Sequence, residues 1–164
     1  MKPVVDMPVQ RPIVVITRLL DAPPALVWEA FTTPEHVVKW FGGDGFTSPS
    51  CQMDVRPGGL WKHVLRAPDG SEFAVASVFL EVDPPRLLSW KNAAEPGPGA
   101  PPAVQHTVTL EAVGQKTRWK LVAEFRTTQD RETSVRMGFA VVITQSIERL
   151  AHFVETAAAG ASHE

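Results

Sequence analysis

Two histidines and one glutamate are the side chains of this sequence best suited to acid–base chemistry. His63, His106 and Glu81 each occupy an alternate position of an apolar, strand-like run, so all three are predicted to face the interior. Because histidine titrates near neutral pH, the three could transfer protons in a dry pocket. They could instead be hydrogen-bonded interior groups that orient a ligand or join neighbouring strands. We favour this second interpretation.

Other kinds of site lack their characteristic residues in this sequence. It contains no dinucleotide-binding GxGxxG, no Walker-type phosphate loop and no GxSxG nucleophile elbow. No cluster of His, Cys and carboxylate residues has metal-ligand spacing. Cys51 is the only cysteine and has no basic neighbour in sequence, so we expect a buried, inert thiol. We therefore expect neither a metal nor a cofactor.

Composition limits the classes of partner. The chain has 164 residues, of which 44% are hydrophobic, enough for one domain with a proper core. The net charge is −2 and the basic residues are scattered singly, so nucleic acid is not an expected partner. No run approaches the roughly 18 apolar residues of a membrane span. Residues 1–12 also lack the apolar core of a secretory signal. Together with the single cysteine, these features predict a cytoplasmic protein.

The pattern of apolar residues predicts one α+β domain. Residues 13–43 are typical of a strand followed by two short helices, and residues 46–125 contain six further strand-like runs. Residues 133–158 have helical periodicity. The apolar positions on one face of that helix are Phe139, Ile143, Ile147, Leu150 and Val154. We expect a curved antiparallel sheet of about six or seven strands wrapped around this long helix, with Gly58-Gly59 at a bulge or sharp bend.

The two ends of the chain are predicted to lie outside the domain. Residues 1–11 are expected to form a flexible or strand-extending arm, residues 12–158 the single domain, and residues 159–164 a frayed tail. Residues 93–102, which are rich in proline and glycine, should form a mobile hairpin loop.

Four segments in this order resemble the AHSA1-like family, the bacterial relatives of the activator of Hsp90 ATPase. The segments are DAPPALVWEAFTTPEHVVKWFG, PGGLWKHVLRAPDG, FLEVDPPRLL and MGFAVVITQSIERLAHFV. The family belongs to the START-like, Bet v 1-like SRPBCC superfamily, and the resemblance extends from about residue 13 to about residue 158. It implies the helix-grip fold, in which the sheet and the long helix leave a cavity between them.

Strand alternation and the helical stripe then predict which side chains face this cavity. Aromatic residues dominate the set, because the tryptophans at 40, 61, 90 and 119 lie in four different elements. The predicted ligand-binding residues are Trp40, Met53, Trp61, His63, Val75, Ser77, Phe79, Trp90, His106, Val108, Trp119, Leu121, Met137, Phe139 and Ile143.

Three functions are compatible with this sequence. The first is binding of a small hydrophobic or amphipathic ligand, since the superfamily carries lipids, hormones and polyketides and the predicted walls are mostly apolar. The second is a polyketide cyclase-like or lyase-like enzyme that uses His63, His106 and Glu81. The third is a co-chaperone-like interaction protein of the stress response.

The third function is the least expected of these. The eukaryotic activators resemble this chain only in their C-terminal domain, and their chaperone-binding N-terminal part has no counterpart here. We therefore do not expect an Hsp90-type chaperone as partner. A homodimer is compatible with the fold class, although no sequence feature requires one.

Overall fold

The computed structural model describes residues 2–161, and this part of the chain contains eight strands and four helices. In chain order they are β1 Val4–Asp6, β2 Ile13–Leu20, α1 Pro24–Thr32, α2 Pro34–Trp40, β3 Thr47–Met53, β4 Leu60–Arg66, β5 Glu72–Asp83, β6 Leu87–Asn92, β7 Val104–Val113, β8 Lys116–Phe125, α3 Thr128–Arg136 and α4 Phe139–Ala161.

The strands form one antiparallel sheet in the order β1-β2-β8-β7-β6-β5-β4-β3. The helix-grip α+β fold expected from the sequence is therefore confirmed. The strand number is higher than the predicted six or seven, because Val4–Asp6 of the N-terminal arm pairs with β2. No helix within residues 2–161 is both long enough and apolar enough to cross a membrane.

The predicted domain limits remain predictions at both ends. Strand β1 lies within the predicted arm, and α4 continues through residues 159–161 of the predicted tail. Met1 and residues 162–164, which also belong to these two predicted segments, lie outside the described residues.

The predicted helix over residues 133–158 is two helices. Helix α3 ends at Arg136 and α4 begins at Phe139, so the single-helix prediction was wrong at its start. Gly138 lies between them with a φ of +97°, a conformation that other residues adopt only at a cost. Helical periodicity does not reveal such a break, because α3 contains a single apolar residue, Val135, and the apolar stripe begins only at Phe139.

Helix α4 packs against the concave face of the sheet through the predicted stripe. Ile147, Leu150 and Val154 are fully buried there. Burial of each such side chain contributes about 1.5–3 kcal/mol. Arg18 of β2 is also buried, at 6% exposure, and its Nε donates to Glu148 of α4 at 2.7 Å. This ion pair links the sheet to the helix beside the apolar contact.

Gly58 and Gly59 lie in the tight loop between β3 and β4. The Gly59 amide donates to the Arg56 carbonyl at 2.8 Å, and the Phe79 amide donates to the Gly59 carbonyl at 2.9 Å. A Cβ atom on Gly59 would lie 1.9 Å from the Asp54 carbonyl oxygen, whereas one on Gly58 would meet nothing within 4 Å.

These two glycines allow a matched test of the loop. Gly59→Ala should lower the free energy of unfolding by about 3 kcal/mol, since the new methyl group collides with backbone. Gly58→Ala should cost roughly 1–2 kcal/mol, because it only forces alanine into the left-handed region at φ +83°. Urea denaturation of both variants measures the difference. Equal losses would contradict the close approach at Gly59.

Candidate functional site

A cavity of about 400 Å³ lies between the sheet and the first half of α4. Its walls come from strands β4 to β8, from α1 and α2, and from the connection between α3 and α4. The lining is largely aromatic and aliphatic. A volume of this size and an apolar lining are typical of small-molecule sites.

Cross-strand register brings the lining side chains together. Trp61 and His63 of β4 lie opposite Ser77 and Val75 of β5, so all four point to the same face. On the other side of the cavity, Trp90 of β6 lies opposite His106 of β7. The Trp119 and Leu121 side chains of β8 complete the sheet wall.

Most of the predicted ligand-binding residues lie at this cavity. Those that line it are Trp40, Trp61, His63, Val75, Ser77, Trp90, His106, Trp119, Leu121, Met137, Phe139 and Ile143. Three others do not. Phe79 is buried behind the wall, where its ring stacks on Trp61 at 5.9 Å, and Val108 is also fully buried. Met53 is half-buried against the core. Whether the lining residues bind a ligand remains a prediction.

Glu81 does not face the cavity, and its predicted inward orientation was wrong. The register between β5 and β6 shifts between Phe79 and Val82, so one extra residue is inserted in β5. The bulge reverses the alternation, and Glu81 is exposed with its amide donating to Ser89 Oγ at 3.0 Å. Glu81 is therefore removed from the candidate proton-transfer residues.

Several lining residues were not among the predicted ligand-binding residues. They are Phe31, Phe41, Gly42, Gly43, Phe46, Leu65, Asn92, Pro101, Val104, Ser134, Gly138, Val142, Ser146 and Ile147. Most lie in loops or near the ends of helices and strands, whereas Leu65, Ser146 and Ile147 lie within β4 and α4. The only sequence signal for part of this set was the aromatic pair Trp40-Phe41 followed by two glycines. Those glycines lie in the connection between α2 and β3.

The loop of residues 41–46 is bound to α4 by hydrogen bonds. The Arg149 guanidinium donates to the carbonyls of Gly42, Gly43 and Phe46 at 3.2, 3.3 and 3.4 Å. The Gly42 amide donates to Ser146 Oγ at 3.2 Å. The 41–46 loop therefore forms a wall of the cavity that depends on α4 for its position.

Five buried polar atoms of cavity-lining residues have no hydrogen-bond partner within the described residues. They are Trp61 Nε1, Trp119 Nε1, His63 Nδ1, His106 Nδ1 and Ser134 Oγ. Trp40, by contrast, donates its Nε1 proton to the Ala30 carbonyl at 2.9 Å. An unpaired buried polar group costs about 1–3 kcal/mol, so a concentration of them is unusual in a core built only for stability.

The comparison with known proteins decides the family. A family model described as "Activator of Hsp90 ATPase homolog 1-like protein" matches residues 21–155. The chain belongs to this AHSA1-like family.

Solved structures of several bacterial proteins share the fold of this AHSA1-like chain. A protein from Nitrosomonas europaea is 26% identical with a TM-score of 0.82, over 93% of this chain and 99% of that one. A protein from Arthrobacter aurescens is 21% identical with a TM-score of 0.83, over 93% and 91%. An AHSA1-like protein from Aeromonas hydrophila is 18% identical with a TM-score of 0.68, over 87% and 93%. No curated protein matches the chain.

The cavity of this AHSA1-like chain carries no charge at neutral pH. None of its lining residues is Asp, Glu, Lys or Arg. Burial lowers the pKa of His63 to about 4 and that of His106 to about 4. His106 retains some accessible surface, but that surface faces the cavity, where its ring lies 5.0 Å from Trp90 and 5.9 Å from Phe139.

Covalent and metal chemistry find little support in this AHSA1-like chain. Burial raises the pKa of the Cys51 thiol, and the nearby Trp61 indole offsets this only in part, so the thiol stays protonated. Because sulfur is a weak acceptor, the contact leaves the indole N–H without a conventional partner. Among residues 2–161, no three His, Cys, Asp or Glu side chains lie close enough together to hold a metal ion.

The two histidines should make stability depend on pH. Their pKa of about 4 lies below the ordinary 6.5, so between these values the unfolded chain binds more protons than the folded one. Stability should therefore fall as the pH drops from about 6.5 to about 4, by about 1.4 kcal/mol per pH unit for each histidine. NMR titration of the imidazoles, with urea denaturation at each pH, measures both effects.

A double variant separates the contribution of these histidines to the pH dependence of stability from that of the exposed carboxylates. His63→Phe/His106→Phe should lose the extra slope between pH 6.5 and about 4 while keeping the acid unfolding at lower pH. Titration of either imidazole near 6.5 in the folded wild-type chain would show that its ring is open to water and would contradict the buried site.

Proposed function

We propose that this AHSA1-like protein binds a small hydrophobic or amphipathic molecule in the cavity between the sheet and α4. The observation that carries the proposal is the cavity of about 400 Å³, whose apolar walls include unpaired polar atoms. Apolar walls provide affinity, and a few polar groups fix the orientation of a ligand. A core selected only for stability would fill the volume and pair those atoms.

The proposed contact residues are the predicted residues that line the cavity, together with Phe41 and Phe46 of the 41–46 loop. We propose that a ligand enters beside Met137 and Val142, which line the cavity and are 53% and 41% exposed. Methionine is flexible and polarizable, so Met137 can adjust to ligands of different shape.

The enzyme alternative has one observation in its favour, since His63 and His106 both line the cavity. A base whose conjugate acid has a pKa of about 4 accepts a proton poorly at neutral pH, and the best catalytic pKa lies near the working pH. Glu81, the third candidate, lies outside the cavity. We therefore favour a binding protein over a cyclase or lyase.

The co-chaperone alternative rests on the description of the family model alone. No feature of the cavity supports it over ligand binding, and stimulation of an Hsp90-type ATPase is the measurement that would establish it. The cytoplasmic location is part of our proposal and is supported by the free Cys51, which suits a reducing compartment. A homodimer stays a sequence prediction.

Filling the cavity should abolish binding. Ser77→Phe places an aromatic ring in the cavity, whereas Ala76→Phe adds the same ring on the exposed opposite face of β5. Ser77→Phe should weaken Nile red binding at least tenfold, a loss of about 1.4 kcal/mol. Ala76→Phe should bind like the wild-type chain. Fluorescence titration of folded samples measures both affinities.

Native mass spectrometry of protein purified from its native host tests the same proposal without a chosen probe. An excess mass that is released on denaturation, and that is absent from Ser77→Phe, is the expected result. A clean mass for the wild-type chain, together with no Nile red binding, would refute the proposal.

A further inference from the structure

We infer that the molecule bound here is uncharged and largely aromatic, and that it presents a hydrogen-bond acceptor, such as a carbonyl oxygen, to the indole N–H of Trp119. This inference rests on the proposed function, because it specifies the chemical class of the ligand in the same cavity. Three features of the wall carry it: its lack of charge, the direction of its unpaired hydrogen bonds and its aromatic surface.

The first feature excludes ionised ligand groups from the interior. No lining residue is Lys or Arg, so a carboxylate or phosphate would be buried without a permanently cationic partner, which is costly. Two arginines, one in α4 and one in β2, already have partners within the protein. Arg149 binds the carbonyls of the 41–46 loop, and Arg18 binds Glu148. With neutral histidines, the wall offers an ionised group only neutral hydrogen-bonding partners, which do not balance a buried charge.

The second feature sets the kind of hydrogen bond that the ligand must complete. An indole N–H can only donate, so the unpaired Nε1 atoms of Trp119 and Trp61 both require acceptors. Trp119 is the sharper case, since Trp61 has the Cys51 thiol beside it. Ser134 Oγ and the two imidazoles can donate or accept and therefore do not select between ligands. Because the two indole N–H groups can only donate, the ligand must supply a hydrogen-bond acceptor.

The third feature favours flat rings over alkyl chains. Trp61 and Trp90 meet edge to face with centroids 5.3 Å apart, and Phe41 packs edge-on against Trp61 at 5.4 Å. His106 lies stacked between Trp90 and Phe139. A ligand ring inserted among these faces and edges gains about 0.5–1.5 kcal/mol per aromatic pair beyond its buried area. An alkyl chain gains the area alone.

A set of matched small molecules tests each feature on the full chain. 2-Acetylnaphthalene carries the acceptor, 2-ethylnaphthalene has nearly the same shape without it, and 2-naphthoate carries a charge. Decan-2-one keeps the ketone without the rings. At pH 7.5, 2-acetylnaphthalene should bind at least tenfold more tightly than each of the other three, as expected when one buried donor gains its partner. Isothermal titration calorimetry, or displacement of Nile red, measures the affinities.

Tryptophan variants locate the donor. Trp119→Phe keeps an aromatic ring and removes the N–H, so the preference for 2-acetylnaphthalene over 2-ethylnaphthalene should fall several-fold while 2-ethylnaphthalene still binds. Trp61→Phe makes the same test at the second donor. Trp28→Phe is the control, because Trp28 does not line the cavity, and its preference should be unchanged. Should Trp119→Phe fail to fold, an unchanged preference in Trp61→Phe would support Trp119 as the donor, and loss of the preference in Trp61→Phe would assign the donor to Trp61 and overturn the inference.

The outcomes distinguish failure of this inference from failure of the proposed ligand-binding function. Equal affinity for the acetyl and ethyl compounds would overturn the acceptor requirement, and tight binding of 2-naphthoate would overturn the exclusion of charge. Preference for decan-2-one would overturn the aromatic class while leaving a ligand-binding protein. Failure of the wild-type chain to bind any of the four molecules or Nile red would overturn the proposed function itself.

Discussion

The packing of α4 on the concave face of the sheet is the contact on which the rest of this structure depends. Its second half closes the core, because Leu150 and Val154 are fully buried against the sheet and the first two helices. Its first half stands away from the strands, where Phe139 and Ile143 line the cavity. The Arg18–Glu148 ion pair lies between these two halves of α4 and holds the helix against β2. The cavity thus exists because α4 packs against the sheet along its second half and lies away from the strands along its first half.

The unfilled cavity and its unpaired polar atoms lower the stability of the folded chain. Unfilled volume loses dispersion contacts, and each unpaired buried polar atom loses the hydrogen bonds that it made to water. Trp40 shows that the fold can satisfy an indole when nothing else is required, since its N–H reaches the Ala30 carbonyl. Trp119, equally buried, makes no such bond. The difference between two tryptophans of one chain agrees with the proposed binding role of the cavity and is not a general weakness of packing.

Sequence periodicity predicted the fold well because alternation along strands and the helical stripe report directly on burial. It placed Trp61 and His63 on one face and Ile147 and Leu150 on another, as the structure does. It failed at Glu81, because one inserted residue reverses a strand without changing its composition. It also missed the loop side chains, whose positions depend on Arg149 more than 100 residues later in the chain. Unpaired polar atoms are defined by what surrounds them, so no local pattern could have indicated them.

Helix α4 forms one wall of the cavity, and it also binds the 41–46 loop, which forms another. Ile143 and Ile147, four residues apart, face the cavity, whereas Gln145, Ser146 and Arg149 face the 41–46 loop and hold its backbone. The loop is bound through main-chain groups, so these bonds do not use its side chains, although a Cβ atom on Gly43 would lie 2.9 Å from Gln145 Oε1. A rotation or shift of α4 would change the cavity shape and the position of the loop together. The shape of the cavity and the access to it are therefore determined by the same helix, and the sheet supplies much of the chemical character of the wall.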